Sequence, residues 1–185
     1  MKCVVKLGGS LVKNDEILNC LKIIERWTEP TIIVPGGGAF ADTVRQSQAH
    51  WQFNDSIAHR MAILAMQQTA LLLHGLSPKM PIFDSMEFQK CDALHSIWSP
   101  RVADLDCAGL PHSWDLSSDS LAAWLATKWQ ADRLILVKSA PISQLTELSA
   151  MQQNGIVDAA FTDYCDPSKF EIKILNYAQL ADVHD

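Results

Sequence analysis

Two glycine clusters, Gly8-Gly9 and Gly36-Gly37-Gly38, hold five of the eight glycines, and each stands just behind a short apolar run and just ahead of a helical pattern. The runs, Lys2 to Leu7 and Thr31 to Val34, are rich in β-branched residues and too short for helices, so they read as buried strands. Behind the first cluster, Leu11, Ile17, Leu18, Leu21 and Ile24 recur at helical spacing, which predicts a helix capped by Ser10, running to about Trp27 and stopped by Pro30. Strand, glycine turn, helix and strand in that order make a βαβ unit, whose two strands must lie parallel.

The same alternation continues along the chain. Helical patterns are expected at 39–50, about 55–73 (ended by Gly75 and Pro78), 118–129 and 158–164. Strands are expected at 81–83, 96–98, 134–137 and 171–175. Strands alternating with helices predict an α/β fold, a mainly parallel sheet covered on both faces. With 185 residues and no linker, repeat or low-complexity segment, one domain spanning 1–185 is expected.

Charge and composition exclude several classes of function. Fifteen Lys and Arg against twenty-one Asp and Glu leave a net charge of −6, so the chain has no general attraction to nucleic acid or to an anionic membrane. The longest greasy stretch, 61–73, is interrupted by Gln67, Gln68 and Thr69, too short to span a bilayer. A second lysine at position 6 precedes any signal-like apolar region, so a cytoplasmic location is expected. Five cysteines without a CxxC pair suit reduced, mostly buried thiols. No protein-ligated metal site is predicted, because His50, His59 and His74 lack ligand spacing and read as structural.

In open α/β sheets ligands bind beyond the carboxyl ends of the strands, where both glycine clusters fall. Consecutive glycines let backbone approach a ligand, and the following helix start supplies free N–H groups and positive dipole. This is an anion cradle, although neither GxxxxGK[ST] nor GxGxxG is present. Lys6 and Lys138 end two apolar runs and are predicted on the same sheet edge. Asp119, at a helix start, either complements the dipole or orients both lysines. Two cradles, two cations and a carboxylate suit phosphoryl transfer, which needs positioned charge more than covalent help. Arg45 and Arg60 either clamp a phosphorylated acceptor or sit on solvated helix faces, and Asp104, Asp106 and Asp115 either position magnesium or are surface carboxylates. Trp114, Trp124 and Trp129 are expected in the core or at a subunit contact.

Lys6-Leu7-Gly8-Gly9-Ser10, Val34-Pro35-Gly36-Gly37-Gly38-Ala39-Phe40-Ala41-Asp42, and Ser118-Asp119-Ser120-Leu121-Ala122-Ala123 leading to Leu134–Lys138 together resemble the amino-acid kinase superfamily of aspartate, acetylglutamate and uridylate kinases. The resemblance implies a three-layer αβα sandwich of the carbamate kinase-like type. It also implies ATP and Mg2+ as cofactors and a homo-oligomer. In it, Lys6 contacts the phosphoryl group in flight, Gly8, Gly9 and Ser10 bind phosphate, and Gly36, Gly37 and Gly38 hold the acceptor. Asp119 aligns the catalytic lysines, Lys138 being the second.

More narrowly, Gly38–Arg45 with His59–Met66 is similar to the short aminomethylfuran methyl phosphate kinases of one-carbon cofactor synthesis, which implies Arg45 and Arg60 as further acceptor contacts. Two departures stand out: Lys138-Ser139-Ala140-Pro141 lacks the Asp-x-x-Gly turn common in the superfamily, and the C-terminal nucleotide-binding part is short. The resulting expectation is a kinase for a small anionic metabolite. The alternatives are a carboxylate kinase of the same fold and a catalytically silent anion- or nucleotide-binding protein.

Overall fold

The computed structural model describes residues 1–13, 15–140, 142 and 147–183. Its six strands are β1 (Cys3–Leu7), β2 (Thr31–Pro35), β3 (Ile82–Phe83), β4 (His95–Trp98), β5 (Arg133–Lys138) and β6 (Glu171–Asn176). They form one sheet in the order β3-β4-β2-β1-β5-β6, and every pairing is parallel. The helices are α1 (Glu16–Ile24), α2 (Gly38–Trp51), α3 (Asp55–Leu76), α4 (Val102–Cys107), α5 (Ser118–Trp129), α6 (Leu148–Gln153) and α7 (Phe161–Tyr164). All six expected strands are present.

Successive side chains of a strand point to opposite faces, so each central strand feeds two cores. Val4, Ile32, Val34, Leu134 and Leu136 pack with α5 in one, while Val5, Ile33, Ile135 and Val137 pack with α1 in the other. Burial on both sides explains why these strands read as continuous apolar runs rather than alternating ones. β1 lies at the centre, with β2 on one side and β5 on the other, so the chain's crossovers diverge there.

Several boundaries differ from the sequence expectation. The single helix expected from Ser10 to Trp27 is two pieces, a 3₁₀ segment Gly9–Lys13 and then α1. The Leu11 N–H closes a tight turn onto the Gly8 carbonyl, which buries Leu11 and turns the chain before α1 can start. Ser10 therefore does not cap α1. α3 continues through Gly75 to Leu76 and ends at Ser77 ahead of Pro78, which disfavours helical backbone in the residue before it. α4 and α6 are six residues each, too short to show a helical period in sequence. Cys3, Cys20 and Cys165 are buried, Cys91 is half-buried and Cys107 is exposed, so the thiols are mostly buried, with Cys107 the exception. No helix among the described residues is long and apolar enough to cross a membrane.

Candidate active site

Lys6 and Lys138 share a sheet face because both lie in step with the apolar residues facing α5. Lys6 is opposite Leu136, two residues before Lys138 on the neighbouring strand. Asp119, in the first turn of α5, lies between them: Lys6 Nζ is 2.8 Å from Oδ1 and Lys138 Nζ donates a 2.6 Å hydrogen bond to Oδ2. The Lys6 contact is an ion pair without hydrogen-bond alignment. Asp119 is 4% and Lys6 6% exposed, so the charges are held in a poorly screened interior. Burial would raise the Asp119 pKa, but the two ammonium groups outweigh it and hold the carboxylate below its usual range. The Lys138 ammonium is pushed down to about 8, first by burial and then by the neighbouring Lys6 charge, against the pull of Asp119.

Asp119 is free to turn toward the lysines because a different carboxylate caps its helix. Asp158 Oδ2 accepts from the Ser117 N–H at 3.0 Å, the Ser120 N–H at 3.0 Å and the Ser117 hydroxyl at 2.6 Å, while the Ser120 hydroxyl donates to Oδ1. These are donors that a helix start otherwise leaves unsatisfied. Asp158 lies 38 to 41 residues away along the chain, so no local pattern marks it as a cap. The helix expected at 158–164 is shorter and comprises α7 alone.

The two glycine loops touch through their backbones. A Cβ on Gly36 would stand 2.5 Å from the Gly9 nitrogen, and one on Gly9 would collide with Gly38, which has φ +55°. Not every glycine N–H is free for an anion. Gly8 donates to the Val137 carbonyl at 3.0 Å and Gly36 to the Leu7 carbonyl at 2.9 Å, so these two N–H groups tie the loops to the sheet. Among the described residues no such bond engages the N–H groups of Gly9, Gly37 or Gly38, and Gly38 opens α2. Ser10 Oγ lies 2.7 Å from Ser139 Oγ. The Asn176 amide donates to the carbonyls of Ser139 at 3.0 Å and Ala140 at 3.1 Å, fixing the backbone just after Lys138. Pro141 of the anticipated glycine-free turn lies outside the described residues.

A cavity of about 390 Å³ opens from these loops, bounded by Gly9, Ser10 and Gly36–Gly38 at one end. Ile63, Met66, Leu116 and Leu121 supply apolar walls. Arg45 lines it with its guanidinium 4.1 Å from the centre of the Trp114 ring, whose indole N–H donates to Gln48 at 2.6 Å. Lys13, Asp42 and Arg45 form a chain of charges at its rim, with Lys13–Asp42 at 3.1 Å and Arg45–Asp42 at 3.9 Å. Arg60 is not in the cavity: it pairs with Asp106 at 2.5 Å, and Asp106 also meets His112 at 2.7 Å. Asp104 pairs with Arg101. Trp124 and Trp129 are core residues, whereas Trp114 is cavity wall. His59 also lines the cavity, a placement the histidine spacing did not suggest.

Residues 1–141 match the family model described as the amino acid kinase family. The chain belongs to that family. A [5-(aminomethyl)furan-3-yl]methyl phosphate kinase of Methanocaldococcus jannaschii is 28% identical over 130 residues, 66% of this chain and 58% of that protein, so the match spans less than two thirds of the relative's length. Among solved structures, a uridylate kinase from Archaeoglobus fulgidus superposes with TM-score 0.72 at 18% identity over 95% of this chain and 91% of its own. A UMP kinase from Bacillus anthracis gives 0.70 at 14% identity, covering 96% and 87%. These structural likenesses establish the three-layer amino-acid kinase fold expected from the glycine, aspartate and lysine motifs.

Proposed function

We propose that this chain is an ATP-dependent kinase that transfers the γ-phosphoryl group to a small acceptor already carrying a phosphate, with an aminomethylfuran methyl phosphate as the leading candidate. The observation that carries this reading is the convergence of Lys6 and Lys138 on buried Asp119 beside a glycine-bounded cavity. An acceptor phosphate oxygen attacks the γ-phosphorus, a new P–O bond forms, and the bond to the ADP oxygen breaks. A phosphate monoester is mostly ionised near neutral pH, so no general base is required. Lys6 and Lys138 offset the charge on the transferring group, and Asp119 holds their ammonium groups in place. Gly9 and Ser10 face that group, while Gly37, Gly38 and the start of α2 receive the acceptor phosphate.

Arg45, spread on Trp114, closes over the acceptor. Gly8 and Gly36 act by fixing the loops, and Arg60 acts from outside the cavity through Asp106. Magnesium, when bound with ATP, neutralises charge on its phosphates. The oxygens of Asp119 and Asp158 are already engaged by this chain's own groups, so the residues fit a metal carried by the nucleotide rather than a dedicated protein site.

Residues 1–185 are read as one kinase domain whose short C-terminal part completes the sheet with β6. A homo-oligomer is proposed through α3, where Ile57, Leu64 and Leu71 recur every seven residues and are 47%, 48% and 62% exposed. Light scattering of Leu64→Glu/Leu71→Glu against the unaltered protein tests it, a monomeric variant being the expected result.

The function is tested by supplying ATP and Mg2+ with aminomethylfuran methyl phosphate, UMP, and the carboxylates aspartate and acetylglutamate, following ADP release and ³¹P NMR. ADP release with a phosphomonoester and appearance of a diphosphate resonance is the expected outcome. Turnover of carboxylates only, or of no acceptor, would overturn the reading.

A further inference from the structure

Arg45 lines the cavity as a cation without a committed carboxylate. Arg60, Arg101 and Arg133 each have a carboxylate oxygen within 2.9 Å, whereas Arg45 has Asp42 at 3.9 Å and no hydrogen bond among the described residues. Asp42 is spent elsewhere, accepting a 3.1 Å hydrogen bond from Lys13. What holds the Arg45 guanidinium instead is the face of Trp114, 4.1 Å from the ring centre. Stacking engages the flat face of a guanidinium and leaves free the N–H groups at its edge, the part that grips an anion.

The Trp114 ring is itself fixed. Its one polar group, the indole N–H, donates to Gln48 Oε1 at 2.6 Å. The Gln48 amide is held in turn, because its Nε2 donates to Asp55 Oδ1 at 2.8 Å and to the Phe53 carbonyl at 3.2 Å. A flipped amide would set its oxygen against both acceptors and its N–H groups against the indole. Arg45 and Gln48, three residues apart, share one face of α2, and Trp114 meets both from the segment leading into α5. Trp114 is half-buried and lines a second hollow with Gln48 and Phe53, so it is a partition rather than a core side chain.

The Arg45 side chain runs back along α2 to Asp42, as helical side chains do. Asp42 is four residues past Gly38, so the free edge of the guanidinium stands about one turn, roughly 6 Å along the axis, from the loop proposed to receive the acceptor phosphate. A phosphate with a hydrogen bond on either side fills such a span.

We propose that Trp114 is a positioning residue: it presents the edge of Arg45 to the acceptor phosphate, and Gln48 locks the ring in the plane that does so. This rests on the phosphomonoester-kinase reading and names the device by which that site grips its phosphate.

The test measures kcat and both KM values with ATP and whichever of aminomethylfuran methyl phosphate and UMP is turned over, for the unaltered protein, Trp114→Leu, Trp114→Phe, Arg45→Ala and Arg45→Ala/Trp114→Leu. Trp114→Leu is expected to raise the acceptor KM about tenfold while kcat and the KM for ATP move less than about threefold, and Trp114→Phe, which keeps a ring face, recovers most of the loss. Arg45→Ala raises the acceptor KM further still, and adding Trp114→Leu to it costs less than about twofold more, because Trp114 acts through Arg45. Additive losses, a loss shared equally with ATP, or Trp114→Phe as impaired as Trp114→Leu overturn the assignment. Should Trp114→Leu melt early, Gln48→Leu, which unlocks the ring without removing it, takes its place in the cycle and must show the same non-additive pattern.

If no phosphomonoester is turned over, the kinase reading fails. Trp114 is then decided by calorimetric titration of phenyl phosphate into the same set of proteins. The same non-additive pattern in affinity upholds it, and additive losses or no binding to the unaltered protein overturn it.

Discussion

Asp119 and Asp106 each bridge two basic side chains, but in very different surroundings. Asp119 joins Lys6 and Lys138 at 2.8 and 2.6 Å with all three groups largely buried. Asp106 joins Arg60 and His112 at 2.5 and 2.7 Å, but Arg60 is 45% exposed. Water and salt screen the second cluster and leave it worth little. The first keeps its field because solvent is absent, so it can act on a multiply charged group and would be costly to break. Pairing geometry alone therefore does not separate the proposed catalytic cluster from the outlying one; burial does.

The sharpest way to break this contrast is Asp119→Asn, which leaves two buried ammonium groups without their counter-charge. Turnover should fall about a hundredfold or more, and unfolding in urea should show a loss of about 3 kcal/mol. Next in size is the pH response of Lys138. Its ammonium, pushed down to about 8, is lost on alkalinisation, so activity should fall about fivefold between pH 8 and about pH 9.

Stability should move the other way. The unfolded lysine titrates near 10.5, so between about 8 and 10.5 the unfolded chain holds more protons and this group's contribution to folding rises with pH. Lys138→Arg, which stays charged, should remove the alkaline fall, and a rate profile that keeps it would exclude Lys138 as its source.

Asp158→Ala should cost about 2 kcal/mol by stripping the cap from α5, with a smaller loss of turnover as Asp119 shifts. Thermal melts and initial rates together read both effects. Smallest of all, Asp106→Asn should change stability by no more than about 1 kcal/mol. A loss as large as that of Asp119→Asn would erase the distinction between the clusters.

Much of this site was visible in the chain. Lys6, Asp119 and Lys138 could be placed at one rim because each ends a strand or begins a helix, and parallel strands present those ends together. The positions of Gly9 and Gly36–Gly38 followed from the same logic. Which glycine N–H groups remain free did not: Gly8 and Gly36 spend theirs on Val137 and Leu7, partners in other strands or loops. Arg60 and Arg45 looked alike, each a basic residue on a helix, until the fold put one on Asp106 and the other over Trp114. His59 resembled any structural histidine, since its place on the cavity wall and its stack on His112 depend on neighbours supplied by 105–116.

The sequence by itself determined the parallel sheet, the two glycine turns and the charged rim, because strand burial, turn conformation and helix starts are local consequences of residue type and spacing. Tertiary structure alone decided that Asp158 caps α5 and so frees Asp119, that Asn176 holds the backbone of Ser139 and Ala140 behind Lys138, and that His59 is buried against His112 beside the cavity. Those depend on hydrogen bonds and burial between segments tens of residues apart, and no local pattern encodes which buried polar group will meet which partner.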